Sequence, residues 1–246
     1  MDPLDLPVSV VLALWAPLPS SRGLALVQGP DGAHEVREEA TGVTVPLEAW
    51  LPALGPLARC AAVLPSAADP LPGLALALDA GEGVLLETAA RAAAPSGDGA
   101  PRRVLLVPEE SGTSVLWRAH ELRVAPPPFD ASQARREVHR ATEAAIGALV
   151  ELDLARERPE LADVLTDLVT AVLAPRLVPP SLDGRRRELL ERSLRLEAIC
   201  DLALEDDGAA ATALQARSRA EVLRPLLTVA RRGVAAATET WAASGG

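Results

Sequence analysis

Lysine, asparagine and tyrosine are absent from this chain of 246 residues, Phe129 is its only phenylalanine, and Ile146 and Ile199 are its only isoleucines. The missing residues use AT-rich codons, so the bias points to GC-rich coding. Without lysine there is no phosphate-cradling P-loop lysine, no lysine Schiff base and no Tyr/Lys catalytic pair, and those enzyme classes are excluded. Scarce aromatics leave no stacking platform for single strands. A formal net charge of -10 repels phosphate backbones and anionic membranes. The two cysteines, Cys60 and Cys200, lie far apart without CxxC or Cys/His spacing, so buried thiols are expected in place of disulfides or a zinc site.

The apolar run over residues 8–18 is too short to span a bilayer. Asp2 and Asp5 precede it, where a signal peptide needs positive charge. The expectation is a soluble cytoplasmic protein that binds neither nucleic acid nor membrane.

The remaining residues are dominated by Ala, Leu, Arg, Gly and Pro, and their pattern changes once along the chain. Through residue 126, short apolar runs alternate with turn residues, which predicts strands and hairpins. Residues 8–15 read as an opening strand. Residues 24–27 and 34–38 flank QGPDGA as a first hairpin, and 74–78 and 84–87 enclose DAGEG as a second. Residues 104–107 and 114–124 form a third pair. A short helix is expected over 47–57, and 89–103 reads as a low-complexity loop. At APPPFD, residues 125–130, the period shifts from two to about 3.6.

Asp130 and Gln133 then give a capping-box-like start to a first helix with the seam Ala134, Val138, Ala141, Ala145, Ala148, Leu152 and Ala155. A second helix opens at Pro159 with Leu161, Leu165, Leu168 and Val172 on one stripe. A third starts near Ser181 or Asp183. The fourth runs from about Ala210 through Pro225, with a seam that includes Leu223, Ala230, Val234, Ala237 and Trp241. The fold expected is α+β: a small antiparallel or mixed sheet domain over 1–126, followed by a bundle of about four helices over 127–246.

The stretches VLALWAP near the start, GLALALDAGEGVLLE at 73–87 and LRPLLTVARR at 223–232 resemble an uncharacterised family of actinobacterial proteins of about this size. The resemblance implies the same order of segments and a GC-rich source. It transfers no activity and no site residue.

Candidate sites are few. The glycine pairs GPDG and GEG each lead into another strand and not into a helix, so they read as turns and not as dinucleotide loops. His34, His120 and His139 are scattered, and no metal site is expected from them. Glu160 and Asp163 share a face of the second helix and look like the ExxD half of the Mg²⁺ site of MazG-like nucleotide pyrophosphohydrolases. The companion ExxE is missing, and acids in a first helical turn are favoured by the helix dipole anyway. Arg185, Arg186 and Arg187 splay around the third helix. Glu188 meets Arg192 and Glu191 meets Arg195 at i, i+4, so the segment reads as a solvated face, with docking of an acidic partner on the three arginines as the alternative.

Glu197, with Asp201 one turn beyond, breaks an apolar stripe of Leu190, Leu194, Cys200 and Leu204. A carboxylate so placed must be paired, protonated or left facing a cavity. Arg217, Arg224 and Arg231 form a row on the fourth helix, and Glu197 or Asp201 is expected to pair with one of them, Arg224 first, with a ligand site or a Glu197 that reaches water as the alternatives. The function expected is therefore a non-catalytic adaptor that engages an unknown protein partner through the helical bundle or the interdomain groove. No cofactor is expected. The alternative is a carboxylate-metal hydrolase centred on Glu160 and Asp163.

Overall fold

The structure is a computed structural model that describes residues 4, 6–18, 21–29, 32–70, 74–89, 101–111, 114–124, 126–151, 159–205 and 213–242. The chain divides into two compact units. One comprises Pro7–Pro128, Leu177–Pro179 and Thr238–Gly246, and the other Met1–Leu6, Phe129–Arg176 and Pro180–Ala237. The architecture is α+β, with strands mostly in the N-terminal half and long helices in the C-terminal half.

The sheet unit opens with helix α1 (Val8–Trp15), where a strand was expected. Every residue from Ser9 to Trp15 is buried, so the run is apolar on all sides and its periodicity cannot separate helix from strand. Its start is capped from a distance: Glu82 accepts from the Ser9 backbone N–H at 3.0 Å and from the Ser9 hydroxyl at 2.6 Å, which satisfies a first-turn donor. Helix α2 (Ser21–Gln28) replaces the first half of the expected hairpin. The second half is strand β1 (His34–Glu38), which pairs antiparallel with β2 (Thr44–Pro46). Helix α3 (Leu47–Leu54) carries Pro52 and buries Trp50.

Strand β3 (Leu57–Val63) has no counterpart in the sequence reading. The segment expected to be a strand over 74–78 holds a 3-10 turn, Ala75–Ala77. Strand β4 (Gly83–Thr88) therefore pairs with β3 and with β5 (Arg103–Ser111). β5 and β6 (Ser114–Glu121) form the expected antiparallel pair, and β6 also runs parallel to β1. A last strand, β7 (Thr240–Trp241), lies on β3. Among the described residues the sheet has seven strands, in the order β2-β1-β6-β5-β4-β3-β7, and is thus mixed. Trp241 belongs to this edge and is exposed, not part of a helical seam. The expected loop over 89–103 falls largely outside the described residues.

Four helices make up the described part of the second unit: α4 (Ala131–Glu151), α5 (Pro159–Thr170), α6 (Gly184–Glu205) and α7 (Ala213–Thr238). Asp130 caps α4 by accepting from the N–H groups of Ser132 (2.8 Å) and Gln133 (2.9 Å), and those bonds hold its carboxyl below the usual range. Gln133 does not reciprocate; its side chain donates to Glu137. Asp183 caps α6 in the same way through Arg185 and Arg186. The α4 seam of Ala134, Val138, Ala141, Ala145 and Ala148 is buried, while Leu152 and Ala155 lie outside the described residues. Leu223, Ala230, Val234 and Ala237 bury the matching face of α7, which continues through Pro225.

α4, α6 and α7 meet at Gly233. A Cβ built there would come within 2.7 Å of Val138 Cγ2 and closer still to Ser193 Oγ, so the crossing requires glycine. Among the described residues the buried Ser193 hydroxyl has no hydrogen-bond partner.

Candidate functional site

Three clusters named from the sequence find definite places, and the structure adds two more. Glu160 and Asp163 lie within the first five residues of α5, but their side chains lie outside the described residues. Among the described residues, no group of three or more His, Cys, Asp or Glu is placed to hold a metal. His34 is buried and its Nδ1 accepts from Trp117 Nε1 at 3.2 Å, whereas His139 is exposed beside Glu143.

The three consecutive arginines do not form one surface. Arg185 is exposed. Arg186 Nε donates to the Ala237 carbonyl at 3.0 Å, which closes the end of α7. Arg187 donates to Leu173 O and to Glu191, both at 3.3 Å. Two of the three charges are thus spent on carbonyls and a carboxylate of their own unit. One turn on, Arg192 meets Glu188 at 2.6 Å, and Arg195 lies 3.7 Å from Glu191 while donating to Ala171 O at 2.7 Å.

Glu197 is half-buried and accepts from Arg231 Nε at 3.0 Å. Arg224, the match expected from the sequence, is exposed. The cause is the register of two antiparallel helices. Gly233 against Ser193 and Ala237 against Arg186 fix the offset, so position 231 falls beside Glu197 and position 224 falls near Leu204. Asp201, one turn along, is half-buried near Cys200. Burial, then the charges of Asp201 and Glu197, push the Cys200 thiol up to about 12. Burial raises the Cys60 thiol as well, and its Sγ lies 3.4 Å from Ala13 O. Burial disfavours the thiolate, the form that reacts, at both positions.

The first addition is a polar centre inside the sheet unit. Arg59 is 1% exposed. Its Nε donates to Glu239 Oε1 at 2.7 Å, and Nη2 lies equally close to that oxygen. Nη1 donates to Glu87 Oε1 at 2.8 Å and to Pro126 O at 2.7 Å, and Nη2 donates to Pro127 O at 2.9 Å. The Trp241 ring covers the guanidinium, 5.0 Å from its centroid. The fixed fork of an arginine gathers a strand, the proline-rich segment and the C-terminal strand into one network, which a lysine could not do with a single point of charge. Its sequence signal is a lone charge in LARCAAVL.

The second addition is a groove of about 270 Å³ between α4, α5 and α6, floored by Ile146, Val169 and Ile199 and edged by His139, Arg192 and Arg195. Ile146 is 60% exposed and Val169 61%. Val172, three residues beyond Val169, is 63% exposed. The arginines on the rim are held in place by their i, i+4 acids and by the Ala171 carbonyl.

No described helix is long and apolar enough to cross a membrane. Residues 132–235, which hold α4 to α7 almost whole, match the family model described as Rv1486c-like protein, C-terminal domain. The match supports the resemblance to an uncharacterised actinobacterial family. The chain matches no curated protein and no solved structure.

Proposed function

We propose that the chain is a non-catalytic cytoplasmic interaction protein, whose four C-terminal helices form a bundle and receive a protein partner on the groove between α4, α5 and α6. The observation that carries this reading is the exposure of Ile146 and Val169 side by side on one concave floor. Apolar side chains scattered singly over a surface are ordinary, whereas several gathered at a groove mark a site. The geometry suits an amphipathic helix that lays its apolar face on this floor, with acids on its flank toward Arg192 and Arg195. A helix-in-groove contact of this kind needs no reactive group, and both thiols of the chain are withdrawn into the interior.

Affinity capture from the native host tests the reading by comparing the wild type with Ile146→Glu/Val169→Glu. Both positions are exposed, so stability should change by no more than about 0.5 kcal/mol per site. Two charges on the floor, which a docked partner would bury, are expected to reduce recovery of the specific partner at least about tenfold. Equal recovery by the folded double variant would contradict the proposal.

A further inference from the structure

The sheet unit contains a larger cavity, of about 650 Å³, bounded by α1, α2, α3 and the start of β3. Its volume lies within the roughly 300–1,000 Å³ typical of small-molecule sites. Leu12, Leu24, Val27, Leu51 and Leu57 line it, and among the described lining residues Ser21 supplies the only hydroxyl and none is a carboxylate.

The cavity is built into the local packing. Gly23 lets the backbone of α2 settle on Trp15, where an added Cβ would come within 2.9 Å of the Trp15 Cβ. The Trp15 indole is held by its Nε1 donation to Leu177 O at 2.9 Å. Gly55 turns the chain at φ 98°, a left-handed conformation that a side chain would strain. Pro17, Pro52 and Pro56 stiffen the walls. A preformed apolar cavity spares a ligand the cost of ordering its site.

Charge selects the ligand class. Arg22, next to Ser21, is exposed, stands 5.9 Å from the centroid of the Trp15 ring and makes no ion pair with a described residue. In a chain of net charge -10, this places a cation with no acidic partner among the described residues beside Trp15 and Ser21, which line the apolar cavity. We infer that the cavity binds a single-chain amphiphile with an anionic head: the chain lies along Leu12, Leu24, Val27, Leu51 and Leu57, and the head meets Ser21 and Arg22. The wall excludes charge from the ligand body, and the rim rewards a negative head through charge-assisted hydrogen bonds.

Calorimetric titration of the full chain with laurate and with 1-dodecanol, each below its aggregation threshold, tests the assignment. Laurate is expected to bind saturably and about tenfold more tightly than the alcohol. Arg22→Glu, at an exposed position whose folding is checked by circular dichroism, is expected to weaken laurate at least about tenfold and to leave the alcohol unchanged. Absence of saturable laurate binding to the folded wild type would overturn the inference. So would equal affinity for the two probes, or laurate binding indifferent to Arg22→Glu.

Discussion

Arg59→Met is expected to lower stability to urea unfolding by about 3–5 kcal/mol, because it removes the buried cation that Glu87 and Glu239 share, while the partly exposed Arg103 stays 3.6 Å from Glu87. The carbonyls of Pro126 and Pro127 lose a donor at the same time. All five N–H groups of the guanidinium have acceptors in reach, so the network is complete as it stands and fails as a unit when its centre is removed. The triple variant Arg59→Met/Glu87→Leu/Glu239→Leu removes both carboxylates along with the cation. It is expected to regain most of the loss, since a buried ion network is costly mainly when broken and not when replaced whole. A single-variant loss below about 1 kcal/mol would show that water reaches the guanidinium.

The second large effect separates two glycines that look alike in sequence. Gly233 and Gly147 both lie inside long helices, where glycine costs about 1 kcal/mol relative to alanine. Among the described residues nothing lies within 4 Å of a Cβ added at Gly147, so Gly147→Ala is expected to stabilise by up to that amount. At Gly233 the same methyl group meets Val138 and Ser193 in a closed crossing of three helices. Gly233→Ala is therefore expected to destabilise by about 1–3 kcal/mol, the usual penalty of overpacking. Thermal and urea unfolding of the two variants side by side read the contrast directly, and equal signs would mean that the helices do not cross at Gly233.

The parts of this fold that are legible in the sequence rest on local chemistry. Asp130 and Asp183 announce helix starts because a short acceptor before an amphipathic run satisfies free N–H groups. The alanine seam of α4 is a repeat of three and four, and it is the face that is buried. The β5–β6 pair shows as two apolar runs around a short turn. Elements set by distant partners are less legible. Helix α1 is apolar on every side, so its identity depends on its surroundings and on Glu82, far along the chain. The parallel pairing of β1 with β6 and the docking of β7 on β3 are likewise decided by tertiary packing.

The same division applies to the sites. Glu197 is recognisable as a charge within an apolar stripe, but its choice of Arg231 over Arg224 depends on a helix register fixed at Gly233 and Ser193. Arg59 carries the same kind of signal within β3, and its partners are spread from Glu87 to Glu239. RRRELLER advertises charge, yet folding spends Arg186 and Arg187 on carbonyls of their own unit. The apolar floor of the groove comes from single residues of three helices, and no local spacing brings Ile146, Val169 and Ile199 together.

Those two surfaces of the helical unit make opposite claims about where a partner sits, and photo-crosslinking in the native host separates them. A photoreactive side chain is placed at Ile146 or Val169 in the groove, or at Arg185 at the start of α6. The account predicts a discrete crosslinked partner from positions 146 and 169 and none from 185. Crosslinks from 185 alone, or none from either groove position, would contradict it.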